Sequence, residues 1–477
     1  TRVNPQGLVE TVELLGSEEV PSIVSIVNVG GGTITPISGN SYSSTSDGTS
    51  GSAIRPKFDL ATTSGKSYKL TITPTGVISG TVNFKFYDGS SYIFENYDFT
   101  TTKEIYFVDN GSVFGTFDGT ETYNIASFTL SVKESTKNNL ARVDYDGTAS
   151  SLLVEPERTN LITYSEDFSE WLIYDTITRT ANYGTSPDGT QNSFEIGSSG
   201  ASNDFMYLSL SISASQSHSL SFFIKNVDSV ESKFFTPSES TTTITWSGSG
   251  ITSISDGTYE SFGNGWYKIT STATSQSDGG YISRFYPSTS GTSSVELYGY
   301  QVEEGSYPTS YIPTDGGTVT RVQDQYSKTG ISNLINSEEG VLFLEMAALA
   351  DDGTNRYLSI NDGTSSNYIY FRFVSTSNTV LMRTVVSGVT INTLQTAITD
   401  TTDFNKFAFK WKSGDYAFWI NGVESIVDAS ATIFGADVLN KIEFSFPTAS
   451  GTFPSKVKQL QIFKTALTDP ELATLTT

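Results

Sequence analysis

The chain has 477 residues, of which 17% are charged and 13% are aromatic. Disordered chains carry high charge and few aromatic residues, so this composition excludes extended disorder and predicts buried cores. The 51 acidic and 28 basic residues leave a net charge of −23, which disfavours binding to nucleic acids and to anionic membrane surfaces. Because no run approaches about 18 consecutive apolar residues, we also expect no membrane insertion.

Alternating apolar and polar residues predict β-strands along most of the chain. Residues 67–72 (SYKLTI), 205–212 (FMYLSLSI) and 368–373 (YIYFRF) each alternate with period two, which is typical of strands with one buried face. Asp-Gly pairs, which favour tight turns, recur between such segments. The one clear helix start is TDPE at 468–471, where a proline follows a capping residue. The sequence therefore predicts an all-β fold of tandem β-sandwiches with almost no helix.

Two pairs of segments form a weak internal repeat. Residues 64–72 (SGKSYKLTI) resemble 214–222 (ASQSHSLSF), and 126–134 (ASFTLSVKE) resemble 296–304 (ELYGYQVEE). Each pair opens and closes a block of similar length, as two copies of one sandwich would. A third block follows the turn-forming sequence PTDGG. The predicted domains are an N-terminal connector strand (1–18), a jelly-roll-like β-sandwich (19–137), a connector that docks onto a neighbour (138–159), a second jelly roll (160–314) and a third sandwich (315–477).

Long ordered motifs surround and fill the second predicted jelly roll. RVDYDG at 142–147 precedes LLVEPERTNLITYSEDFSEW at 152–171, and the block ends with FGNGWYKITSTAT at 262–274 and YGYQVEEGSYPTSYIPTDGGTVTR at 298–321. These motifs resemble a cassette that is common in bacteriophage tail-fibre and related virion proteins. The resemblance implies a jelly roll similar to a carbohydrate-binding module. It also implies that more chain lies upstream of Thr1 in the parent protein.

The third block carries a second resemblance. YAFWINGVE at 416–424 reads as a strand, an Asn-Gly turn and a second strand, and KVKQLQIFKTALTDPELATL at 456–475 reads as a closing strand followed by a helix. This pattern resembles the concanavalin A-like, laminin-G-like lectin sandwich. Together the two resemblances cover roughly residues 140–477, and the block at 19–137 is supported by the repeat alone.

The acidic residues and the lone histidine argue against catalysis. Glycosidases use paired carboxylates that share one face, whereas the acidic pairs here, such as Glu303-Glu304 and Asp351-Asp352, are adjacent in sequence and would point to opposite faces of a strand. A Ser-His-Asp triad would need His218, which lies on a predicted strand and is interpreted as an ordinary core or surface residue. The absence of cysteine excludes thiolate chemistry. We therefore expect a protein that is not an enzyme.

Aromatic residues on predicted solvent faces are the candidate glycan-binding residues. If Ile369, Phe371 and Phe373 lie in the core, the alternation places the residues between them on the outer face of the same strand. These are Tyr368, Tyr370 and Arg372. The strand at 416–421 likewise leaves Trp419 outward, and the two strands would share a platform that stacks on sugars. Trp246 lies in a polar stretch and is a further candidate. The alternative is that these rings pack beneath a loop or a partner chain.

Carboxylates near the ends of the second jelly roll are candidates for a structural calcium site. Glu166, Asp167 and Glu303 would meet if the first and last strands of the module lie together, and carboxylate oxygens are the ligands that calcium prefers. The Asp351-Asp352 loop and Asp362 are alternatives. No other cofactor is expected.

The resemblance implies a virion structural protein of a bacteriophage. The predicted function is a tail or capsid fibre that binds polysaccharide on the host surface without cutting it. Its expected location is the virion, where it would contact other virion proteins and form a homo-oligomer, most simply a trimer whose weak sites add through avidity. The alternatives are a capsid decoration or adaptor protein, a polysaccharide depolymerase and a prophage-encoded surface adhesin.

Overall fold

The computed structural model describes residues 2–3, 8–10, 14–18, 23–28, 31–49, 56–96, 99–117, 122–136, 141–146, 149–200, 204–276, 280–448 and 453–477. Over these residues it contains 41 strands and a single α-helix, which confirms the predicted all-β fold of tandem sandwiches. The chain divides into two compact units, one formed by Val12–Leu140 and the other by Thr1–Thr11 together with Ala141–Thr477. In the described part of the chain, no helix has the length and apolar character needed to cross a membrane.

The unit Val12–Leu140 is a β-sandwich, preceded in the chain by β1 (Arg2–Val3) and β2 (Val9–Glu10) of the other unit. Its sheets have the strand orders β11-β10-β13-β7-β4 and β12-β8-β14-β6-β5, and both β3 and β9 also pair with β14. Phenylalanines from both sheets fill its core. Its strands are β3 (Leu14–Glu18), β4 (Ile23–Val27), β5 (Gly32–Ser38), β6 (Ser41–Asp47), β7 (Lys57–Leu60), β8 (Ser67–Pro74), β9 (Ile78–Gly80), β10 (Phe84–Tyr87), β11 (Tyr92–Asn96), β12 (Lys103–Val108), β13 (Phe114–Phe117) and β14 (Thr122–Thr136).

The larger unit contains a jelly-roll sandwich with two six-stranded sheets. One sheet has the order β18-β21-β28-β23-β24-β25 and the other the order β19-β20-β29-β22-β27-β26. A short ribbon of β17 (Arg158–Asn160) and β30 (Val319–Arg321) lies beside them. The strands are β18 (Leu172–Tyr174), β19 (Ile177–Thr180), β20 (Phe194–Gly200), β21 (Phe205–Ser211), β22 (Ser217–Asn226), β23 (Glu231–Phe235), β24 (Thr241–Ser247), β25 (Gly250–Ile254), β26 (Thr258–Ser261), β27 (Trp266–Thr274), β28 (Gly280–Tyr286) and β29 (Gly291–Glu304), with a 3-10 turn at Phe168–Glu170.

The internal repeat corresponds to equivalent strand pairs. In the first sandwich β8 and β14 are antiparallel neighbours, with Leu70 opposite Val132. In the jelly roll β22 and β29 are antiparallel neighbours, with Leu220 opposite Val302. The similar segments therefore form neighbouring strands near the middle of one sheet in each sandwich.

The third sandwich includes strands from outside its predicted boundary. Its sheets have the orders β15-β16-β41-β32-β37-β38-β39 and β31-β40-β33-β34-β35-β36. Strands β15 and β16, which sequence analysis assigned to a connector, extend the first of these sheets because β16 pairs with β41. The strands are β15 (Arg142–Asp146), β16 (Ala149–Val154), β31 (Ser327–Thr329), β32 (Glu339–Ala348), β33 (Arg356–Asn361), β34 (Tyr368–Phe373), β35 (Thr379–Val386), β36 (Val389–Ala397), β37 (Asn405–Lys412), β38 (Tyr416–Ile420), β39 (Val423–Asp428), β40 (Lys441–Glu443) and β41 (Ser455–Phe463), with a 3-10 turn at Ser332–Leu334.

The predicted Asn-Gly hairpin and the C-terminal helix are both present in this sandwich. Asn421 and Gly422 connect β38 to β39 with φ of 48° and 83°, the positive values that a tight hairpin turn requires. Helix α1 (Asp469–Thr476) begins with a capping box, in which the side chains of Thr468 and Glu471 bond each other's backbone N–H. These local signals were sufficient to predict both elements.

A buried ion-pair network joins residues of the motifs at 142–147, 152–171 and 298–321. The Arg142 guanidinium contacts Glu155 (2.6 Å) and Asp324, and Arg321 contacts Glu155 at 2.9 Å. The backbone N–H of Ser310 donates to the second oxygen of Glu155 at 2.7 Å. Burial alone would raise the pKa of Glu155, but Arg321 and Arg142 outweigh it and lower the pKa to about 2. The network thus connects strand β15 to segments that begin and end the jelly roll.

Candidate functional site

The predicted exposure of Tyr368 and Tyr370 is wrong. Both lie on the opposite face of β34 from the sandwich core, as the alternation indicated, but they are only 7% and 1% exposed. They form a separate cluster in which Phe446 and Tyr357 pack against them. Arg372 is half-buried and lies over the ring of Tyr357, to whose hydroxyl it donates. The face is covered because a chain segment after β40 carries Phe446 across it.

The predicted exposure of Trp419 is also wrong. Trp419 does point away from the main core, but helix α1 packs over it through Leu472, and the indole is 7% exposed. Trp419 also belongs to the β15–β39 sheet, whereas Tyr370 belongs to the other sheet of the sandwich. Because the outer faces of two stacked sheets point in opposite directions, these residues cannot form the shared platform that sequence analysis predicted.

Trp246 belongs to the jelly-roll core. It lies on the same inner face of β24 as Ile244, two residues away, and is 5% exposed. Its indole N–H donates to the hydroxyl of Ser232 at 3.1 Å. The polar stretch around it misled the prediction because Thr241, Thr243 and Thr245 lie on the outer face of β24, while Thr242 is buried on the inner face with Ile244 and Trp246.

The three carboxylates predicted to bind calcium have separate partners. Glu166 accepts hydrogen bonds from the hydroxyls of Tyr311 (2.8 Å) and Tyr298 (3.3 Å). Asp167 caps the 3-10 turn at Phe168–Glu170, and Glu303 accepts from the backbone N–H of Thr309 at 2.8 Å. Burial raises the pKa of Glu166 and Glu303. Among the described residues no three His, Asp or Glu side chains are grouped to hold a metal ion, and calcium binding stays a prediction.

His218, the lone histidine, lies inside the jelly roll. It is fully buried, and its Nδ1 lies 3.1 Å from the backbone oxygen of Gln216. The ring therefore has no open side toward solvent.

An exposed aromatic surface lies on the jelly roll instead, on the outer face of the sheet that contains β21 and β28. The inner face of this sheet carries Met206, Phe234 and Phe285, which are fully buried in the core. Because side chains alternate along a strand, the intervening residues point to solvent. Strand pairing aligns them in two rows: Leu172, Tyr207, Arg284, Phe235 and Thr241 in one, and Tyr174, Phe205, Tyr286, Lys233 and Thr243 in the other. We call this surface the aromatic face.

The rings of the aromatic face contact one another in a continuous series. Phe205 stacks on Tyr174 with centroids 4.9 Å apart and an interplanar angle of 9°. Phe205 also contacts Tyr286 at 4.9 Å, and Tyr286 stacks on Phe235 at 6.0 Å. Tyr174 is 54% exposed, and the other rings are half-buried. With strands about 4.8 Å apart, five strands span roughly 19 Å.

Two positive charges lie among these rings. The Arg284 guanidinium lies 4.5 Å from the centroid of Phe235 and 5.7 Å from that of Phe205. Burial raises the pKa of the Tyr286 hydroxyl, which Arg284 opposes by a hydrogen bond and by its charge. The hydroxyl is therefore neutral at physiological pH and can still act as a hydrogen-bond donor or acceptor. Lys233 lies directly opposite Tyr286 in the neighbouring strand.

The sequence pattern predicts part of the alternation in this sheet but not the aromatic face. The alternation of FMYLSLSI at 205–212 puts Phe205 and Tyr207 on the face opposite Met206 and Leu208. The signal that could have identified these residues as part of a surface is the matching alternation of ESKFF at 231–235 and GYISRFY at 280–286, which place Lys233, Phe235, Arg284 and Tyr286 on one face of their strands. These segments do not show which strands are neighbours in the sheet. The contacts between their rings could therefore not be predicted from them.

No protein-family model matches the chain, and no curated protein matches it significantly. Solved structures with similar folds include a Ruminococcus gnavus IT-sialidase CBM40 bound to α2,3-sialyllactose, 14% identical, covering 32% of this chain and 98% of that chain, with a TM-score of 0.26. Sheep galectin-11 is 11% identical, covering 30% and 99%, with a TM-score of 0.22. A SAP-like pentraxin from Limulus polyphemus is 11% identical, covering 32% and 74%, with a TM-score of 0.26. At identities and TM-scores this low, the comparisons say nothing about the function of this chain, which has to be inferred from its own residues.

Proposed function

We propose that the protein binds carbohydrate without cleaving it, and that the aromatic face of the jelly roll is the binding site. The observation that carries this proposal is the continuous series of solvent-facing rings from Tyr174 through Phe205 and Tyr286 to Phe235. Scattered surface rings are common in soluble proteins, whereas a contiguous apolar patch rimmed by polar groups marks an interaction site.

The aromatic face has the chemistry that a saccharide requires. A sugar ring has apolar C–H faces and a polar rim, so it stacks on flat rings and hydrogen-bonds around its edge. Tyr286 and Tyr207 offer hydroxyls next to the ring faces, and Thr241 and Thr243 line the adjoining strand. The rigid sheet holds these groups in place before a ligand arrives, which reduces the entropy lost on binding.

The test is glycan binding by the whole chain and by a Phe205→Ala, Tyr286→Ala double variant. We expect the wild-type chain to bind a subset of an array of bacterial surface glycans, and the double variant to bind them at least about tenfold more weakly because the two central rings are lost. Both residues face solvent, so circular dichroism of the variant should match that of the wild type.

A matched control removes an exposed ring elsewhere on the jelly roll. Tyr183 is 42% exposed and lies outside the aromatic face, so Tyr183→Ala should bind glycans as the wild type does. Equal binding by the wild type and the double variant would refute the site, and no binding by any of the three would refute the function. Shortening of a bound polysaccharide would instead identify a depolymerase.

We further propose that the protein is a phage fibre on the virion surface and that it contacts host polysaccharide. It is supported by the resemblance of the motifs at 142–147, 152–171, 262–274 and 298–321 to tail-fibre cassettes. A trimer would let three weak sites act together. Light scattering measures the oligomer, and electron microscopy of particles labelled with an antibody distinguishes a tail fibre from a capsid decoration protein.

A further inference from the structure

Arg284 lies near the centre of the aromatic face and is held by rings. It occupies the third of five strands across the sheet, between Tyr207 on β21 and Phe235 on β23. Its guanidinium lies over Phe235 at 4.5 Å and Phe205 at 5.7 Å. Stacking of this kind fixes the guanidinium plane, and because a guanidinium has five N–H donors, those not directed at the Tyr286 hydroxyl remain for a ligand.

Several arginines of the larger unit form ion pairs, whereas Arg284 forms none with any residue that the structure describes. Arg142, Arg321 and Arg356 each pair with a carboxylate within 4.0 Å. Over the described residues, neither Arg284 nor Lys233 has a carboxylate at that distance. Arg179 of the jelly roll also lacks a carboxylate within the described ranges, but it donates to three backbone oxygens, whereas Arg284 and Lys233 lie half-exposed on one apolar surface.

The acidic groups of the same sheet are already engaged elsewhere. Glu231 lies on the outer face of β23, but its Oε2 accepts from the Thr289 hydroxyl at 2.9 Å. Glu239, in the turn after β23, accepts from the backbone N–H of Ile282 at 3.1 Å. In the described part of the chain neither carboxylate forms an ion pair with Arg284, so its positive charge is available to a group outside the chain.

We infer that the aromatic face selects acidic saccharides, and that Arg284 binds a carboxylate of the sugar while the flanking rings stack on the sugar rings. The planar fork of a guanidinium matches the two oxygens of a carboxylate, and such charge-assisted bonds are among the strongest hydrogen bonds. Lys233 adds a second positive charge one row away. This inference rests on the proposed function and specifies its ligand class.

The experiment compares each acidic glycan with its neutral counterpart. The probes are oligosaccharides of hyaluronan, alginate and polygalacturonate, each next to the same fragment after its carboxylates have been reduced to alcohols. We expect the wild-type chain to bind at least one acidic fragment about tenfold or more tightly than its reduced form, as one charge-assisted hydrogen bond would produce. Arg284→Gln should abolish this preference, and Arg284→Lys should retain part of it.

The control variant separates contact from overall charge. Lys328 lies in an exposed strand of the third sandwich, so Lys328→Gln makes the same change in net charge and should leave the preference intact. Equal binding of acidic and reduced fragments, with loss of both in the Phe205→Ala, Tyr286→Ala variant, would overturn the acidic specificity and leave the proposed function standing. If no fragment and no glycan on the array binds, both are overturned.

Discussion

At the scale of single residues, alternation along a strand correctly assigned faces but not exposure. Tyr370 and Phe371 point to opposite sides of β34, as predicted, yet both are buried. Phe205 and Met206 also point to opposite sides of β21, and there the outer ring does reach solvent. The difference is whether a distant segment covers the outer face, which a period of two residues cannot encode.

Because Trp419 is buried, we expect it to contribute to the stability of the protein and not to glycan binding. Replacing a buried tryptophan by alanine leaves a cavity and costs about 3–5 kcal/mol of unfolding free energy. We expect Trp419→Ala to lower the urea midpoint accordingly while the folded protein keeps its glycan affinity. Phe205→Ala should show the reverse pattern, with a small change in the midpoint and a large one in affinity. A stable Trp419→Ala protein with lost affinity would contradict this assignment.

At the scale of elements, helix α1 shows how local signals and packing combine. Its capping box and proline were readable in the sequence, and they explain why a helix starts at Asp469. A helix of 8 residues is too short to be stable in isolation. It persists because Leu472 packs on the patch that contains Trp419 and Phe343, and it thereby buries a ring that sequence analysis expected in solvent.

The cap can be tested by a pair of threonine variants in the same helix. The Thr468 side chain bonds the backbone at the helix start, so Thr468→Ala should lower the unfolding free energy by about 1 kcal/mol. Thr474 is exposed within the helix and bonds only the backbone oxygen of Pro470. Because alanine is the better helix former, Thr474→Ala should leave stability unchanged or raise it slightly. Urea unfolding followed by tryptophan fluorescence measures both, and equal losses would argue against the cap.

At the scale of the whole molecule, the motifs that stand out in the sequence are structural and do not form the ligand site. Arg142, Glu155 and Arg321 come from the motifs at 142–147, 152–171 and 298–321, and they meet Asp324 in one buried network. They are far apart in sequence because they join strand β15 of the third sandwich to the segments that begin and end the jelly roll. The residues proposed to bind glycan lie outside these motifs, on strands β18, β21, β23 and β28.

The network predicts a specific dependence of stability on pH. The pKa of Glu155 is about 2 in the folded protein and 4.5 as its ordinary value, so the folded state favours the ionised form. Its contribution, on the order of 3 kcal/mol, is fully present above about pH 4.5 and is lost as the pH falls toward 2. Glu155→Gln should be less stable than the wild type at pH 7, because Arg142 and Arg321 lose a buried partner.

Urea unfolding at pH 7, 4.5 and 3 measures this contribution. The difference in unfolding free energy between the wild type and Glu155→Gln should shrink as the pH is lowered. Glu424 is exposed on β39, and Glu424→Gln should differ little from the wild type at every pH. A difference for Glu155→Gln that is constant across the three pH values would show that the carboxylate is not coupled to folding.

The sequence by itself determined the fold class, the Asn-Gly hairpin, the capped helix and the opposite faces of alternating residues in strands such as β21, β34 and β38. These depend on backbone preferences and on alternation over a few residues, which act locally. Only the tertiary structure decided which strands are neighbours and which outer faces are covered. Phe446 and helix α1 bury Tyr370 and Trp419, whereas no segment within the described ranges covers Phe205 and Tyr286 in this way. Solvent exposure is a property of contacts between segments far apart in the chain, and so the site emerged only when strands from 172 to 286 were brought side by side.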